Sequence, residues 1–192
     1  FAYLTHNSCI ATPTVPAALA FTAAAVKDLP KGGATEVVFY QKPAIGNGQF
    51  ANNPWLQELP DPISKVTWDN YITMNPYQME ELGYATTYDQ EHGLNLAKIT
   101  VNGVSVTLPV YPQPGQALNT VGVALGYGRG AGGEAIGKGA YQTKEYGGHA
   151  KTEDGKLTPI GANVFGMVAT GATLLYSGAA KVSAAEGTYP IA

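Results

Sequence analysis

The chain of 192 residues contains little cysteine, little charge and no long apolar run. Its one cysteine, Cys9, excludes an internal disulfide and a metal site built from several thiolates. Charged residues make up only 13%, and the net charge of −3 provides no electrostatic basis for binding nucleic acid or an anionic membrane surface. No run of about 18 apolar residues occurs, so we expect no direct membrane span.

Glycine and proline, in contrast, are frequent, with 24 and 13 copies. They separate short runs of β-branched and aromatic residues, a pattern typical of short strands joined by turns. The length favours one domain or slightly more. Together these features predict a mainly β protein with minor α. The sparse charge indicates that much of the surface is covered, by the core of the chain or by its neighbours.

Residues 1–45 are predicted to be the end of a preceding α/β domain. Pro16–Lys27 is rich in alanine and begins with proline, which favours a helix. Lys31-Gly32-Gly33 ends that helix, and the β-branched and aromatic run Glu36–Gln41 predicts a strand. Residues 46–192 then form a second domain, in which short strands at close spacing favour a small β-barrel.

Two local patterns in the second domain predict defined elements. Asn75 is a suitable N-cap before Pro76, and Gly83 marks the end of the short helix that follows. Asn102-Gly103 separates two alternating strand-like runs, 96–101 and 104–110, and predicts a hairpin with a two-residue type I′ turn.

The remaining segments of this domain are assigned from composition. Strands are predicted at Val66–Met74 and Thr120–Leu125, and three final strands at 163–169, 173–176 and 180–182. Gly126–Gly161 is glycine-rich and polar, and predicts a long, mobile insertion that faces a partner.

Four motifs, taken in order, carry a resemblance to a known family. They are Asn52–Asn70, Met74-Asn75-Pro76 leading to Glu81-Leu82-Gly83, Lys98–Val110, and Gln113–Gln116 leading to Val121–Arg129. In this order and spacing, the chain resembles the final, dinucleotide-binding-type domain of the molybdopterin oxidoreductase family. The resemblance covers about residues 36–130, and Asn163-Val164-Phe165 extends it. It implies a double-psi β-barrel, preceded by the end of an α/β layer.

A narrower resemblance comes from Trp55–Pro62 followed by Trp68-Asp69-Asn70. These residues are similar to the molybdopterin-like and iron–sulfur B subunits of bacterial alternative complex III, a quinol-oxidising respiratory complex. The resemblance implies a fragment of an electron-transfer subunit whose molybdopterin-like domain holds no cofactor and acts as a scaffold. It also implies iron–sulfur clusters in a C-terminal part beyond Ala192. The implied partners are that iron–sulfur domain and other subunits of a membrane-bound complex, and the implied location is peripheral, on the periplasmic side of the bacterial inner membrane.

The residues that match a cofactor site are polar or small and lie on loops. Glycine-lined backbone, amide side chains and arginine are the groups that bind a phosphate-bearing pterin dinucleotide. The matching positions are Asn52, Asn53, Gln57, Gly126, Tyr127, Gly128, Arg129 and Asn163. The structural alternative, which we favour, is that Asn52 and Asn53 bond their own backbone, Trp55 and Trp68 pack in the core, and 126–128 forms a bend.

No catalytic residue and no metal ligand is predicted. The carboxylates Glu58, Asp61 and Asp69 show no acid–base pairing, and we expect Glu58 and Asp69 to accept backbone N–H bonds. His6 and Cys9 are too few for a metal site.

Two alternative functions remain open from the sequence. One is the molybdopterin-dinucleotide-binding domain of an active molybdenum reductase of the polysulfide-reductase type. The other is an unrelated β-barrel that acts as a binding module.

Overall fold

A computed structural model of the chain describes residues 32–89, 92–129, 158–168 and 176–192. The described strands are β1 Glu36–Tyr40, β2 Ile72–Met74, β3 Leu94–Val101, β4 Val104–Pro112, β5 Thr120–Ala124, β6 Tyr176–Ser177 and β7 Lys181–Tyr189. The helices in the same residues are short: α1 is Pro54–Gln57, α2 is Pro76–Glu81, and Phe165–Met167 is a 3₁₀ turn. The prediction of a mainly β chain with minor α is therefore confirmed.

All seven strands belong to one mixed sheet, in the order β6-β1-β5-β2-β4-β3-β7. β1 pairs in parallel with β5, and β2 pairs in parallel with β4. The other neighbours are antiparallel. β1, which the sequence analysis places in a preceding layer, thus lies in the same sheet as the strands that follow residue 46.

The two outer strands, β6 and β7, are separated by only the three residues between Ser177 and Lys181. A flat sheet of seven strands would place its outer strands about 29 Å apart, because neighbouring strands are about 4.8 Å apart. Four residue steps span at most about 14 Å. The sheet must therefore curve strongly. In agreement, the N–H of Ala180 donates to the carbonyl of Thr35, just before β1, at 3.2 Å.

The hydrophobic core lies on one face of this curved sheet. Side chains from β1 to β5 alternate into it, and Met79 of α2 and Met167 of the 3₁₀ turn complete it. The largest fully buried members from the strands include Phe39, Ile72, Met74 and Ile99. This core positions the loops that join the strands, where the predicted site residues lie.

The hairpin of β3 and β4 confirms its prediction. Asn102 and Gly103 have φ of 51° and 79°, as both central residues of a type I′ turn require. Val101 pairs with Val104, and the register continues to Leu96 opposite Pro109.

Helix α2 also confirms its prediction. The side chain of Asn75 accepts a hydrogen bond from the N–H of Tyr77 at 2.9 Å, and Pro76 occupies the first turn. Gly83 has φ of 75°, so the chain leaves the helix through a left-handed residue.

The predicted strand Val66–Met74 is wrong over most of its length, because only Ile72–Met74 is extended in the sheet. Lys65 and Trp68 have φ of 66° and 64°, a left-handed conformation that interrupts a strand. Residues 66–71 instead form an irregular loop, in which the N–H of Trp68 donates to the carbonyl of Gln57 at 2.9 Å.

The predicted final strands are only partly right. Phe165–Met167 is a 3₁₀ turn within the first of them, and its N–H groups bond locally, so this strand is wrong. Tyr176 lies in β6, and the last prediction falls at the start of β7, which extends to Tyr189. The strand prediction over 173–175, the helix at 16–27 and the insertion from 130 to 157 lie outside the described residues. Within the described part of the chain, no helix has the length and hydropathy needed to cross a membrane.

Candidate functional site

The loop around α1 is held by its own polar side chains. The Oδ1 of Asn53 accepts a hydrogen bond from the N–H of Trp55 at 3.1 Å and so caps α1. Gln57 is buried, and its Nε2 donates to the carbonyl of Ala51 at 2.7 Å. Both contacts are structural, and the expectation that Asn53 bonds its own backbone is confirmed.

The two tryptophans of the loop behave differently. Trp55 is 83% exposed, so the expectation that it packs in the core is wrong. Its position on the outer face of a helix of only four residues leaves it no core to reach. Trp68 is half-buried and packs against a small cluster of Ile45, Ala124, Tyr127 and Ile160.

Four of the predicted site residues meet at one cleft of about 350 Å³, which we call the Arg129 cleft. Its lining comprises Asn47, Gly48, Gln49, Gly126, Tyr127, Arg129, Asn163 and Phe165. An Nη of Arg129 donates a short hydrogen bond to the carbonyl of Gly48 across this cleft. The Oδ1 of Asn163 accepts from the N–H of Phe165 at 3.0 Å. Both polar side chains are thus engaged by the chain itself.

The two glycines of this segment have a packing role. Gly126 has φ of 94°, and a Cβ there would lie 2.5 Å from the backbone N of Gly48. Gly128 has φ of 71°, and a Cβ there would lie 2.1 Å from the backbone N of Asn163. Glycine is therefore required because two chain segments approach closely, whether or not a ligand is bound.

The other predicted site residues lie elsewhere. Asn52 and Asn53 line a neighbouring open cleft of about 510 Å³ together with the aromatic rings of Phe50 and Trp55. Gln49 lines both clefts. Gln57 and Gly128 line neither of them, so the structure brings together part of the predicted set and separates the rest.

A second cluster of polar side chains, around Lys42, was missed by the sequence analysis. Lys42 is only 4% exposed, and its Nζ donates to the backbone carbonyl of Asp69 at 2.9 Å. The same Nζ lies 4.2 Å from the ring centroid of Tyr71 and 5.3 Å from that of Tyr127. The ammonium is therefore surrounded by aromatic faces, which favour a cation, while burial disfavours it.

Hydroxyl groups connect this cluster to the turn at Asp61. The Oγ of Ser64 donates to Oδ1 of Asp61 at 3.2 Å and also makes a short hydrogen bond with the hydroxyl of Tyr71. Tyr71 in turn is hydrogen-bonded to Tyr40. The Asp61 carboxylate and three hydroxyls thus form one hydrogen-bonded chain, and the Lys42 amine lies over the ring of one of its members, Tyr71.

Asp69 is the second buried charge of this group. It is 7% exposed, and both of its carboxylate oxygens accept from the hydroxyl of Tyr189 at 3.2 Å. The N–H of Gly161 also donates to it. The expectation that Asp69 accepts backbone N–H bonds is confirmed by that contact.

Burial dominates the ionisation of the cluster. It lowers the pKa of Lys42 to about 8, although Asp61 and Asp69 act in the opposite direction. Burial likewise raises the pKa of Asp69 to about 6, against the effects of Tyr189 and Lys42. The pKa values of Tyr40 and Tyr71 are also raised by burial, so both hydroxyls stay protonated at neutral pH.

Lys42 and three members of its cluster line a cleft with a volume of about 600 Å³. We call it the Lys42 cleft. Its floor is the outer face of β1, β2 and β5, and its walls include Pro43, Asp61 and the turn 113–116. A buried amine with a shifted pKa at a cleft of this size is a site candidate.

Little in the sequence could have identified this cluster. Lys42 directly follows a strand and precedes a proline, as many exposed loop lysines do. Its partners Asp69 and Tyr71 are more than 25 residues away, and only the fold brings them together. The one available signal was that Asp69 and Tyr71 flank Asn70 in a loop already singled out for its two tryptophans.

No model of a known protein family matches the chain, and no curated protein matches it significantly.

Proposed function

We propose that the chain is a molybdopterin-oxidoreductase-type barrel domain that acts as a scaffold in a respiratory electron-transfer subunit, of the kind found in quinol-oxidising alternative complex III. The four ordered motifs support this family assignment. A double-psi β-barrel is supported by the two neighbouring parallel pairs, β1/β5 and β2/β4, and by the short connection that joins the outer strands.

One observation supports the scaffold role over cofactor binding. The polar side chains that would hold a pterin dinucleotide already have partners within the chain. Arg129 bonds the carbonyl of Gly48, Gln57 bonds that of Ala51, and the Asn53 side chain caps α1. These contacts within the chain hold the three side chains in place without a ligand.

Exposed apolar side chains support a packing role beside other domains or subunits. Phe50, Trp55, Leu59 and Ile63 are 45–83% exposed and fall within 14 residues of one another. Apolar surface concentrated in one segment is typical of an interaction surface. The proposed partners are an iron–sulfur domain of the same polypeptide and other subunits on the periplasmic side of the membrane.

The second candidate function is cofactor binding in an active molybdenum reductase. It is favoured by the meeting of Gly126, Tyr127, Arg129 and Asn163 at a cleft of about 350 Å³. In this case the Arg129 guanidinium would keep its bond to the Gly48 carbonyl and bind a phosphate through its other N–H donors.

Metal and pterin analysis of the native, full-length protein with its partners separates the two candidates. Molybdenum and iron are measured by mass spectrometry, and released pterin by fluorescence. The scaffold proposal predicts iron without stoichiometric molybdenum or pterin. One molybdenum and pterin per chain would overturn it and would support cofactor binding.

A matched pair of variants then tests the Arg129 cleft directly. Under the scaffold proposal, Arg129→Ala lowers stability by about 1–2 kcal/mol, because a carbonyl loses a charged donor, and leaves the metal content unchanged. Under the alternative, it lowers the pterin content as well. Lys65→Ala, which removes an exposed cation bonded only within its own turn, is the control for loss of charge.

A further inference from the structure

The Lys42 cleft has the features of a binding site that the proposed scaffold role does not use. It is lined by apolar side chains such as Val38, Pro43 and Ile63, and by Lys42, whose side chain is buried. Of the three N–H donors of this amine, the hydrogen bonds within the described residues occupy one, to the carbonyl of Asp69. The site therefore combines an apolar wall with a buried nitrogen, of whose N–H donors only one is hydrogen-bonded within the described residues.

We propose that the Lys42 cleft binds a small, uncharged aldehyde or ketone with an apolar body, and that the Lys42 amine adds to its carbonyl carbon to form an imine. The inference is independent of the proposed scaffold function, because the groups that react, on Lys42, Tyr40 and Tyr71, do not line the Arg129 cleft.

The charges around Lys42 favour a neutral ligand over an anion. Asp61 lines the cleft, and Asp69 contacts the amine through its backbone. Two carboxylates thus lie near the one buried ammonium, and they disfavour a carboxylate or phosphate ligand beside it. An uncharged carbonyl compound meets no such repulsion, and its oxygen accepts a hydrogen bond from the amine or from a neighbouring hydroxyl.

The cleft supplies the groups that imine formation needs. The free amine of Lys42 attacks the carbonyl carbon with its lone pair, and the carbonyl oxygen takes up a proton to give a carbinolamine. Loss of water, which carries away the oxygen and both amine hydrogens, leaves a C=N bond to Nζ. The hydroxyls of Tyr40 and Tyr71, which line the same cleft, are protonated donors beside the departing oxygen.

The ionisation of Lys42 agrees with this geometry. A pKa lowered to about 8 by burial leaves roughly a tenth of the amine uncharged at pH 7, against fewer than roughly one in a thousand for an ordinary lysine. Lysines that form imines in enzymes are made nucleophilic in this way, by desolvation.

Reductive labelling of the full chain tests the proposal. Benzaldehyde, a small uncharged carbonyl probe, is added with sodium cyanoborohydride at pH 7, and the labelled peptides are quantified by mass spectrometry. The hydride fixes the imine as a stable secondary amine. Lys42 is expected to be labelled at least about tenfold faster than the exposed lysines Lys98 and Lys181. Lys42→Arg should abolish the fast site.

A cleft-filling variant tests whether the probe enters where the structure indicates. Val38 lies on the floor of the cleft and is 40% exposed. Val38→Trp should slow the labelling of Lys42 at least about fivefold and leave the labelling rate of Lys98 unchanged. Thr107→Trp, at an exposed position of β4, is the control and should leave both labelling rates unchanged. Labelling of Lys42 at or below the rate of Lys98 and Lys181 overturns the proposal, as does fast labelling that Val38→Trp does not slow.

Discussion

The hydroxyl of Tyr189, at the end of β7, lies 3.2 Å from both carboxylate oxygens of Asp69, 120 residues earlier in the chain. This contact connects the last strand of the sheet to the loop that contains both tryptophans. A neighbouring backbone bond reinforces it, since the N–H of Thr67 donates to the carbonyl of Ala192 at 2.7 Å. Asp69 thus holds two distant parts of the chain together through a buried charge, and its ionisation must affect stability.

Asp69→Asn should change the pH dependence of stability. Burial raises the pKa of Asp69 to about 6 in the folded protein, so the folded state retains this proton between about pH 4 and 6, while the unfolded state releases it. Stability from this group is therefore fully present below pH 4 and is lost as the pH rises through 6. We expect the unfolding free energy of the wild type, relative to Asp69→Asn, to fall by about 2 kcal/mol between pH 4 and 6.5.

Urea unfolding at four pH values across this window measures the effect. Glu80→Gln, which removes an exposed carboxylate on α2, controls for loss of one negative charge. Parallel pH profiles for the wild type and Asp69→Asn would contradict the prediction.

Lys42→Met should change the alkaline side of the same profile. The pKa of Lys42 is lowered to about 8 by burial, so between pH 8 and 10.5 the unfolded state holds a proton that the folded state has released. Stability from this group is present above pH 10.5 and is lost as the pH falls through 8. We expect the unfolding free energy of the wild type, relative to that of Lys42→Met, to rise by about 2 kcal/mol between pH 7.5 and 9.5.

This range stays below the ordinary pKa of tyrosine, so ionisation of the unfolded tyrosines contributes little. Lys98→Met, at an exposed position of β3, is the matched control. If the difference in unfolding free energy between the wild type and Lys42→Met does not change with pH, burial does not lower the pKa of this lysine.

Two substitutions at Asn102 should separate its two roles in the β3–β4 turn. Asn102 has φ of 51°, and its Nδ2 donates to the carbonyl of Met167 at 2.8 Å. Asn102→Ala loses the hydrogen bond and also replaces asparagine, which tolerates this left-handed φ, with a residue that tolerates it less, for a loss of about 2 kcal/mol. Asn102→Gly loses only the hydrogen bond, for about 1 kcal/mol. Equal losses in urea unfolding would assign the whole effect to the hydrogen bond.

The elements that could be predicted from the sequence are those with local causes. The Asn102-Gly103 turn and the cap at Asn75 follow from the conformations and side-chain bonds of a few adjacent residues. The predicted strand Val66–Met74 failed before Ile72 because that part of the loop is held from a distance, for example by the bond from the N–H of Trp68 to the carbonyl of Gln57. Composition does not reveal such bonds.

The candidate sites show the same division. Glycines and an arginine near residue 128 could be selected by type, and four of the selected residues do meet at one cleft. Lys42 and Asp69 could not be recognised as a pair, because their significance comes from burial beside Tyr71 and Tyr189. A buried charge is a property of the fold, and the sequence around it resembles an ordinary loop.

Asn70 should be the most sensitive polar residue of the described structure. Its side chain is fully buried, with Nδ2 donating to the carbonyls of Ala124 and Ala162 at 3.0 Å each, and Oδ1 accepting from the N–H of Ala162 at 2.9 Å. It therefore joins the end of β5 to the loop before the 3₁₀ turn. Asn70→Ala leaves three backbone groups without this partner, and we expect a loss of about 3–5 kcal/mol in urea unfolding.

Asn70→Asp separates hydrogen bonding from volume. An ionised carboxylate cannot donate to either carbonyl, so this variant should be at least as unstable as Asn70→Ala at pH 7. At pH 4 the carboxyl is protonated and can donate one hydrogen bond, so the variant should recover part of the lost stability. Asn163→Ala, which breaks one exposed local bond to the N–H of Phe165, is the control and should cost under about 1 kcal/mol. If Asn70→Ala stayed within that same margin, the carbonyls of Ala124 and Ala162 would have other partners, and the junction between β5 and the 160s loop would not depend on Asn70.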